Sequence, residues 1–270
     1  MKLYSDMHTH TTFCDGANTV EEMVQEAIKR SFVSFGFSIH GWQPWEVVPV
    51  TLEKEEKYRE EVRRVREKYK GQIEILLGVE RDSIYERDCA EYEYIIDSAH
   101  WFTDAGEYFC ADYSEERMLD QVKHFGGDFY AYCRSYFQQV AKMCAKSDAA
   151  FIGHIDLITK FNEGNKYFDE SDPRFLNPAK DAAILAIERH VPLEINTGAI
   201  GRGYRSKPYP NQPLLDFIRA EGGEVLINGD SHSVSMLESG YDIALEMARH
   251  AGFDHVLRMR KGGFEEVGII

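Results

Sequence analysis

Asp6-Met7-His8-Thr9-His10 ends a run from Lys2 to Met7 that alternates as a short strand does. Side chains two apart on a strand point the same way, so this stretch delivers two imidazoles, His8 and His10, to one place. Five later segments share the design of an apolar run followed by a histidine or carboxylate: Phe37-Ser38-Ile39-His40, Leu77-Gly78-Val79-Glu80, Asp97-Ser98-Ala99-His100, Ile152-Gly153-His154, and Asn228-Gly229-Asp230-Ser231-His232. The fold has to bring these ends together.

Between them the pattern reads as helix. Thr19-Val20-Glu21-Glu22 is a capping box, and Val20, Met23, Val24, Ala27 and Ile28 follow at helical spacing. Thr51 to Lys70 is a charged helix whose i,i+4 pairs read as a solvated face. Leu119 to Lys146 reads as one or two helices broken near Gly126-Gly127, and Asn177-Pro178 starts a helix to His190. Pro213 to Ala220 and Gly240 to His250 complete the set. Trp101 to Tyr113 reads as irregular, Asn196 to Pro213 as a long loop, and His255 to Met259 as a final short strand.

Strands alternating with helices predict a parallel sheet. Polar residues at the same end of seven strand-like runs predict a closed or nearly closed α/β barrel, with its active site at the C-terminal ends of the strands. A doubly wound open sheet is the competing architecture, but it draws ligands from a few strands near a switch point. No Pro/Ser/Gly-rich linker divides the chain, so 1–270 is expected to be one domain, and a barrel of 270 residues is an ordinary size.

Hydrophobic residues at 43 % and charged residues at 29 % predict a packed core. A net charge of −15 argues against a nucleic-acid surface, which needs clustered Lys and Arg. No apolar run is long enough for a membrane span. Five cysteines form no CxxC pair and read as reduced thiols of a cytoplasmic enzyme. Cys14 has two readings, a soft metal ligand or a small buried residue beside the site, and the second is preferred. Oligomeric state leaves no mark on the sequence.

Nine candidate metal ligands stand at the strand ends: His8, His10, Asp15, His40, Glu80, His100, His154, Asp230 and His232. They include six of the ten histidines; His190 and His250 lie near helix C-termini, His124 is helical and His255 begins the last short run. Nine N and O donors exceed what one tetrahedral zinc takes, so more than one metal is implied, and the mixture suits Zn, Fe or Mn. Such sites hydrolyse phosphate esters, because metals activate water and cancel phosphate charge. Neither a GxxxxGK[ST] phosphate loop nor a GxSxG nucleophile is present.

Asp6 to Gly16 (DMHTHTTFCDG) resembles the first motif of the PHP (polymerase and histidinol phosphatase) superfamily, and His40, Glu80, His100, His154 and Asp230-Ser231-His232 resemble its later motifs in order. Gly153-His154-Ile155-Asp156-Leu157, Glu194-Ile195-Asn196-Thr197 and Asn228 to Ser233 are similar more narrowly to the monofunctional histidinol-phosphate phosphatases. The resemblance implies a distorted (β/α)7 barrel of the PHP type with three divalent metal ions. His8, His10, Glu80 and Asp230 would hold one; Glu80 would bridge to a second with His100 and His154; Asp15, His40 and His232 would hold the third. It also implies hydrolysis of L-histidinol phosphate, a small phosphorylated substrate of histidine biosynthesis, by a hydroxide bridging two metals. A PHP phosphoesterase for nucleotides or other small phosphates is the alternative, and a non-catalytic metal-binding module is a third reading.

A basic side chain is expected to meet the outer phosphate oxygens. Lys160 and Arg202 are favoured by the resemblance, and Arg205 lies in the same loop. Glu194 and Asn196, at another strand end, read either as polar partners that orient a metal-bound histidine or simply as polar strand-end residues, and both are taken forward as substrate contacts. Trp42, Trp45 and Trp101 each follow a ligand segment; Trp42 is the one taken forward as a substrate contact.

Overall fold

The computed structural model describes residues 5–41, 50–84 and 88–270. In chain order it runs β1 (Ser5–Asp6), α1 (Val20–Lys29), β2 (Ser34–His40), α2 (Leu52–Lys68), β3 (Glu74–Asp82) and β4 (Tyr94–Ser98). A small excursion follows, made of β5 (Trp101–Asp104), β6 (Glu107–Cys110), α3 (Glu115–Val122) and α4 (Phe129–Cys144). The alternation resumes with β7 (Phe151–Ile152), α5 (Pro173–Glu188), β8 (Leu193–Asn196), α6 (Gly198–Gly201), α7 (Gln212–Ala220), β9 (Val225–Asn228) and α8 (Tyr241–His250). β10 (His255–Arg260) and β11 (Gly263–Gly268) close the order.

Seven strands lie side by side in the order β1-β2-β3-β4-β7-β8-β9, every neighbouring pair parallel. The curl brings the first back to the last. Thr9 bridges Ser231, with the His10 N–H donating to the Ser231 carbonyl at 2.9 Å and the Ser231 N–H to the His8 carbonyl at 3.2 Å. This is the expected (β/α)7 barrel, closed at its C-terminal end just past β1 and β9. At the other end it is distorted. There β10 pairs with β9 at one position, Leu257 with Leu226, while the Ser34 hydroxyl of β2 donates to the Met259 carbonyl at 2.9 Å. β11 then pairs antiparallel with β10.

The barrel interior holds Met7, Leu76, Tyr94, Ile96, Phe151, Leu226 and Met259, all buried. Tyr94 reaches across it, and its hydroxyl donates to the carbonyls of Met7 (2.7 Å) and Phe37 (3.0 Å). Gly78 is required by that reach, because a Cβ there would lie 2.2 Å from the Tyr94 ring. Outside the barrel, α1 lays Val20, Met23, Val24 and Ala27 on the sheet, and α4, α5 and α7 carry a larger apolar layer. Burying each larger apolar side chain contributes roughly 1.5–3 kcal/mol.

The Thr19 capping box forms in full, and the break near Gly126-Gly127 falls where expected, with both glycines at positive φ (68° and 82°). Four expectations are corrected. Trp101 to Tyr113 is not irregular: it contains the β5–β6 hairpin, turned at Ala105-Gly106 with φ of 46° and 85°, as a two-residue hairpin loop requires. The helix expected from Asn177 starts at Pro173, where the Asp172 carboxylate accepts the Arg174 N–H and proline fits the first turn. The loop from Asn196 to Pro213 contains the short α6. His255 to Met259 is one arm of a hairpin whose second arm, β11, was not expected.

Candidate metal centre

Strand register sets the site. In the β2–β3 pair, His40 stands opposite Glu80. The closing bridge places His8 and His10 beside the segment that carries Asp230 and His232. All nine sequence-predicted donors converge. They fall into four overlapping groups, each with donor atoms within 4.8 Å of one another: His10/Asp15/His40/His232, His8/His10/Asp230, His8/Glu80/His154 and His40/Glu80/His100. The groups share members more than the implied partition does, since His40 faces both Asp15 (3.3 Å) and Glu80 (3.0 Å).

Glu80 is the hub. Its carboxylate faces His8 at 3.2 Å, His10 at 3.5 Å, His40 at 3.0 Å, His100 at 3.5 Å and His154 at 3.0 Å. Burial alone would raise its pKa, but His8, His100 and His40 hold it well below the usual carboxylate range. Burial, with His232 and His40 alongside, pushes His10 down to about 3, leaving its ring a neutral donor. The set fits metal ions by a direct observation. His8 Nε2, His10 Nε2 and Glu80 Oε2 are buried and make no hydrogen bond among the described residues, although carboxylates and imidazoles crowd around them. Buried polar atoms are costly unless paired, and a cation among them supplies the pairing.

Further carboxylates aim these rings. His8 Nδ1 lies 2.8 Å from Glu194 Oε1, leaving Nε2 to face Glu80 and Asp230. Glu194 also accepts the His154 backbone N–H (3.0 Å) and the side-chain amides of Asn196 (2.8 Å) and Asn228 (2.9 Å). Glu194 and Asn196 are 1 % and 0 % exposed and do not line the cavity, so the reading of them as substrate contacts is corrected: they hold His8 and the β8 strand end. Asp82 was missed by sequence reasoning. Its Oδ2 accepts the His100 and Trp101 N–H groups and lies 3.3 Å from His100 Nδ1. It sits two residues after Glu80 on β3, a spacing that places it on the same face.

A cavity of about 370 Å³ opens above the donors, in the size range of small-molecule sites. Lys160 and Arg202 line it. Lys160 Nζ donates to the Asp112 carbonyl (2.8 Å) and carboxylate (3.1 Å). Arg202 donates to Asp230 Oδ2 at 2.9 Å and lies 2.8 Å from His232 Nδ1. Gly198 permits this approach, because a Cβ there would lie 2.7 Å from Asp230 Oδ2. Arg205 is not brought to the cavity. Its guanidinium is buried against both oxygens of Glu170 and the Thr159 carbonyl, so its reading as a substrate contact is corrected too. Trp101 lines the cavity, whereas Trp42 and Trp45 lie outside the described residues. Cys14 is buried with Sγ 3.5 Å from His10 Nδ1, and burial raises its pKa. Asp112, Tyr113 and Tyr204 also line the cavity; they carry no strand-end signal and were not singled out from the sequence.

Seven parallel strands with imidazoles and carboxylates gathered at their C-terminal mouth define an α/β barrel with a candidate metal centre. The PHP domain family model matches residues 6–198, and the chain belongs to that family. It is 26 % identical to the histidinol-phosphatase of Bacillus subtilis, an alignment covering 89 % of this chain and 98 % of that protein. It is also 26 % identical to the probable histidinol-phosphatase of Schizosaccharomyces pombe, covering 94 % and 89 %. The crystal structure of the putative histidinol phosphatase from Listeria monocytogenes superposes with a TM-score of 0.77 at 21 % identity, covering 88 % of this chain and 99 % of that one. That of histidinol phosphate phosphatase from Lactococcus lactis, complexed with zinc, L-histidinol and phosphate, gives 0.69 at 17 % identity, covering 97 % and 98 %. These two likenesses concern the fold.

Proposed function

We propose that this chain is a metal-dependent phosphomonoesterase that hydrolyses L-histidinol phosphate to L-histidinol and phosphate. One observation carries the reading: six of the nine candidate metal donors line one small cavity together with Lys160 and Arg202, and the other three, His8, His10 and Glu80, are grouped with them. The near full-length similarity to proteins named histidinol-phosphatase supports the choice of ester. We further propose three divalent ions, zinc, iron or manganese. His8, His10, Glu80 and Asp230 hold the first, Glu80 with His100 and His154 the second, and Asp15, His40 and His232 the third. Bound there, such ions lower the pKa of water and offset the charge of the phosphoryl group.

The chain's own residues do the rest. Lys160 has three N–H donors and gives two to Asp112, which leaves one for a phosphate oxygen. Arg202 is held by Asp230 at the cavity wall, so its charge is fixed in place before a substrate arrives. Glu194 and Asp82 fix the ring orientations of His8 and His100. Residues 1–270 act as one catalytic unit in this reading. A cytoplasmic setting is supported by five cysteines that are buried and form no CxxC pair. Among the described residues no helix is long and apolar enough to cross a membrane.

The test is a side-by-side assay of L-histidinol phosphate and nucleoside monophosphates, before and after stripping metals with a chelator. The expected result is faster hydrolysis of L-histidinol phosphate, lost on stripping and restored by divalent ions. Comparable or faster turnover of nucleotides defeats the choice of substrate, and full activity after metal removal defeats the metal site.

A further inference from the structure

Asp112 stands apart from the other carboxylates of the cavity. Asp15 and Asp230 both belong to groups that can hold a metal, whereas Asp112 belongs to none. It follows the β5–β6 hairpin, its side chain is 24 % exposed to the cavity, and it touches Lys160. A carboxylate here works against the binding of a phosphate dianion, because like charges held in a confined, partly dry space repel. Holding Lys160 does not account for it. The Asp112 backbone carbonyl already accepts Lys160 Nζ at 2.8 Å, so the carboxylate is only the second of two acceptors for it. The carboxylate also has acceptor capacity to spare. Of its roughly four lone-pair sites, described residues engage two, through Lys160 at Oδ2 (3.1 Å) and the weak Cys110 thiol at Oδ1 (3.5 Å). The remaining cavity cations are committed elsewhere, Arg202 on Asp230 and Arg117 over the rings of Trp101 and Tyr113.

We propose that Asp112 is a subsite for an ammonium group on the substrate, next to the phosphate-binding Lys160. The site thereby selects phosphate esters that carry a cationic amine close to the ester oxygen. This rests on the phosphatase reading above and adds to it the feature that separates amino-alcohol phosphates from sugar phosphates and nucleotides. Lys160 offsets part of the repulsion between Asp112 and the phosphate, and an ammonium group on the ligand offsets it further.

The experiment compares L-histidinol phosphate with its deamino counterpart, the same skeleton without the amine, on the metal-loaded enzyme and on Asp112→Asn. Metal content and thermal midpoint are measured on both proteins. The wild type is expected to favour the amine in kcat/KM by about ten- to a hundredfold, the range of a hydrogen bond to a charged group. Asp112→Asn loses most of that preference, because its turnover of the amine falls far more than its turnover of the deamino ester. Asp112→Glu, which keeps the charge, restores part of the preference. If Asp112→Asn lowers both esters by the same factor, the residue only positions Lys160 and the subsite is overturned. A wild type that hydrolyses both esters equally well overturns the subsite and leaves the phosphatase reading standing. A wild type that hydrolyses neither, yet hydrolyses a nucleotide, overturns that reading and the subsite with it.

Discussion

Glu80 and His8 occupy the same floor but have different reach. Glu80 faces five imidazoles, while His8 Nε2 faces two carboxylates. Glu80→Ala and His8→Ala should both lower kcat by more than about a hundredfold, since each removes charge stabilisation of several kcal/mol. Far-UV circular dichroism should stay close to wild type. Metal analysis should separate them, with Glu80→Ala losing more equivalents than His8→Ala; equal losses would remove Glu80 from the hub. Glu194→Gln acts one bond further out. It keeps the volume but weakens the hold on His8 Nδ1, and metal affinity should fall about 10–100-fold in a chelator competition. These donors were legible as residues because each ends an apolar run. Asp112 was not, since it follows a hairpin that ends at Cys110 and whose short turn at Ala105-Gly106 does not resemble a strand end of the barrel. Arg205 looked like a site residue because a loop position says nothing about which carboxylate, here Glu170, claims the guanidinium.

At the scale of elements, β4 and β10 determine how the barrel is filled. Tyr94→Phe keeps the ring in the interior but leaves the Met7 and Phe37 carbonyls without their donor. The cost should be about 1–3 kcal/mol, read as a lower urea midpoint with an unchanged slope. β10 is tied to β9 by His255, whose ring nitrogens lie 2.7 Å from Asp254 and 2.9 Å from Glu224. Burial works to lower the His255 pKa, and the two carboxylate hydrogen bonds overcome it and raise it. A pKa raised on folding stabilises fully below the unfolded value, about 6.5, and the contribution is lost as pH rises through the folded value. His255→Gln should therefore lower the urea midpoint at pH 5.5 and change it little at pH 9, by about 0.2–1 kcal/mol at the acid end. A larger effect at the alkaline end would refute the assignment. The parallel strands were legible from their apolar runs. β11 was not, because GFEEVG is polar and exposed, and only its pairing with β10 makes it a strand.

For the whole molecule, the metal centre is also a structural joint. Its donors come from the ends of β2 and β3 and from the segments after β1, β4, β7 and β9. Ions held there bind the folded chain and not the unfolded one, so they stabilise it by about 2.7 kcal/mol each at a hundred times the dissociation constant. Stripping metals should lower the thermal midpoint by at least about 5 °C. An unchanged midpoint in calorimetry would mean that the donors carry no ions. Barrel closure itself was expected from the repeated strand-end pattern. The wedge of β10 between β9 and β2 was not, because it depends on a single pairing at Leu257 and on the Ser34 hydroxyl, contacts that leave no period in the chain.

The closing bridge has a consequence for the order of events on the ribosome. The Met7 N–H is paired with Asn228, a separation of 221 residues, and the Thr9–Ser231 bridge spans about as much. At about 5–20 residues per second this interval is on the order of ten to forty seconds of translation. His8 and His10 are present almost throughout it and His40 and Glu80 from their own synthesis onward, whereas Asp230 and His232 are made only at its end. The nascent polypeptide thus carries an incomplete set of donors on a strand with one neighbour missing. Completion of the donor set is accordingly a late step, reached only after Asp230 and His232 have left the exit tunnel.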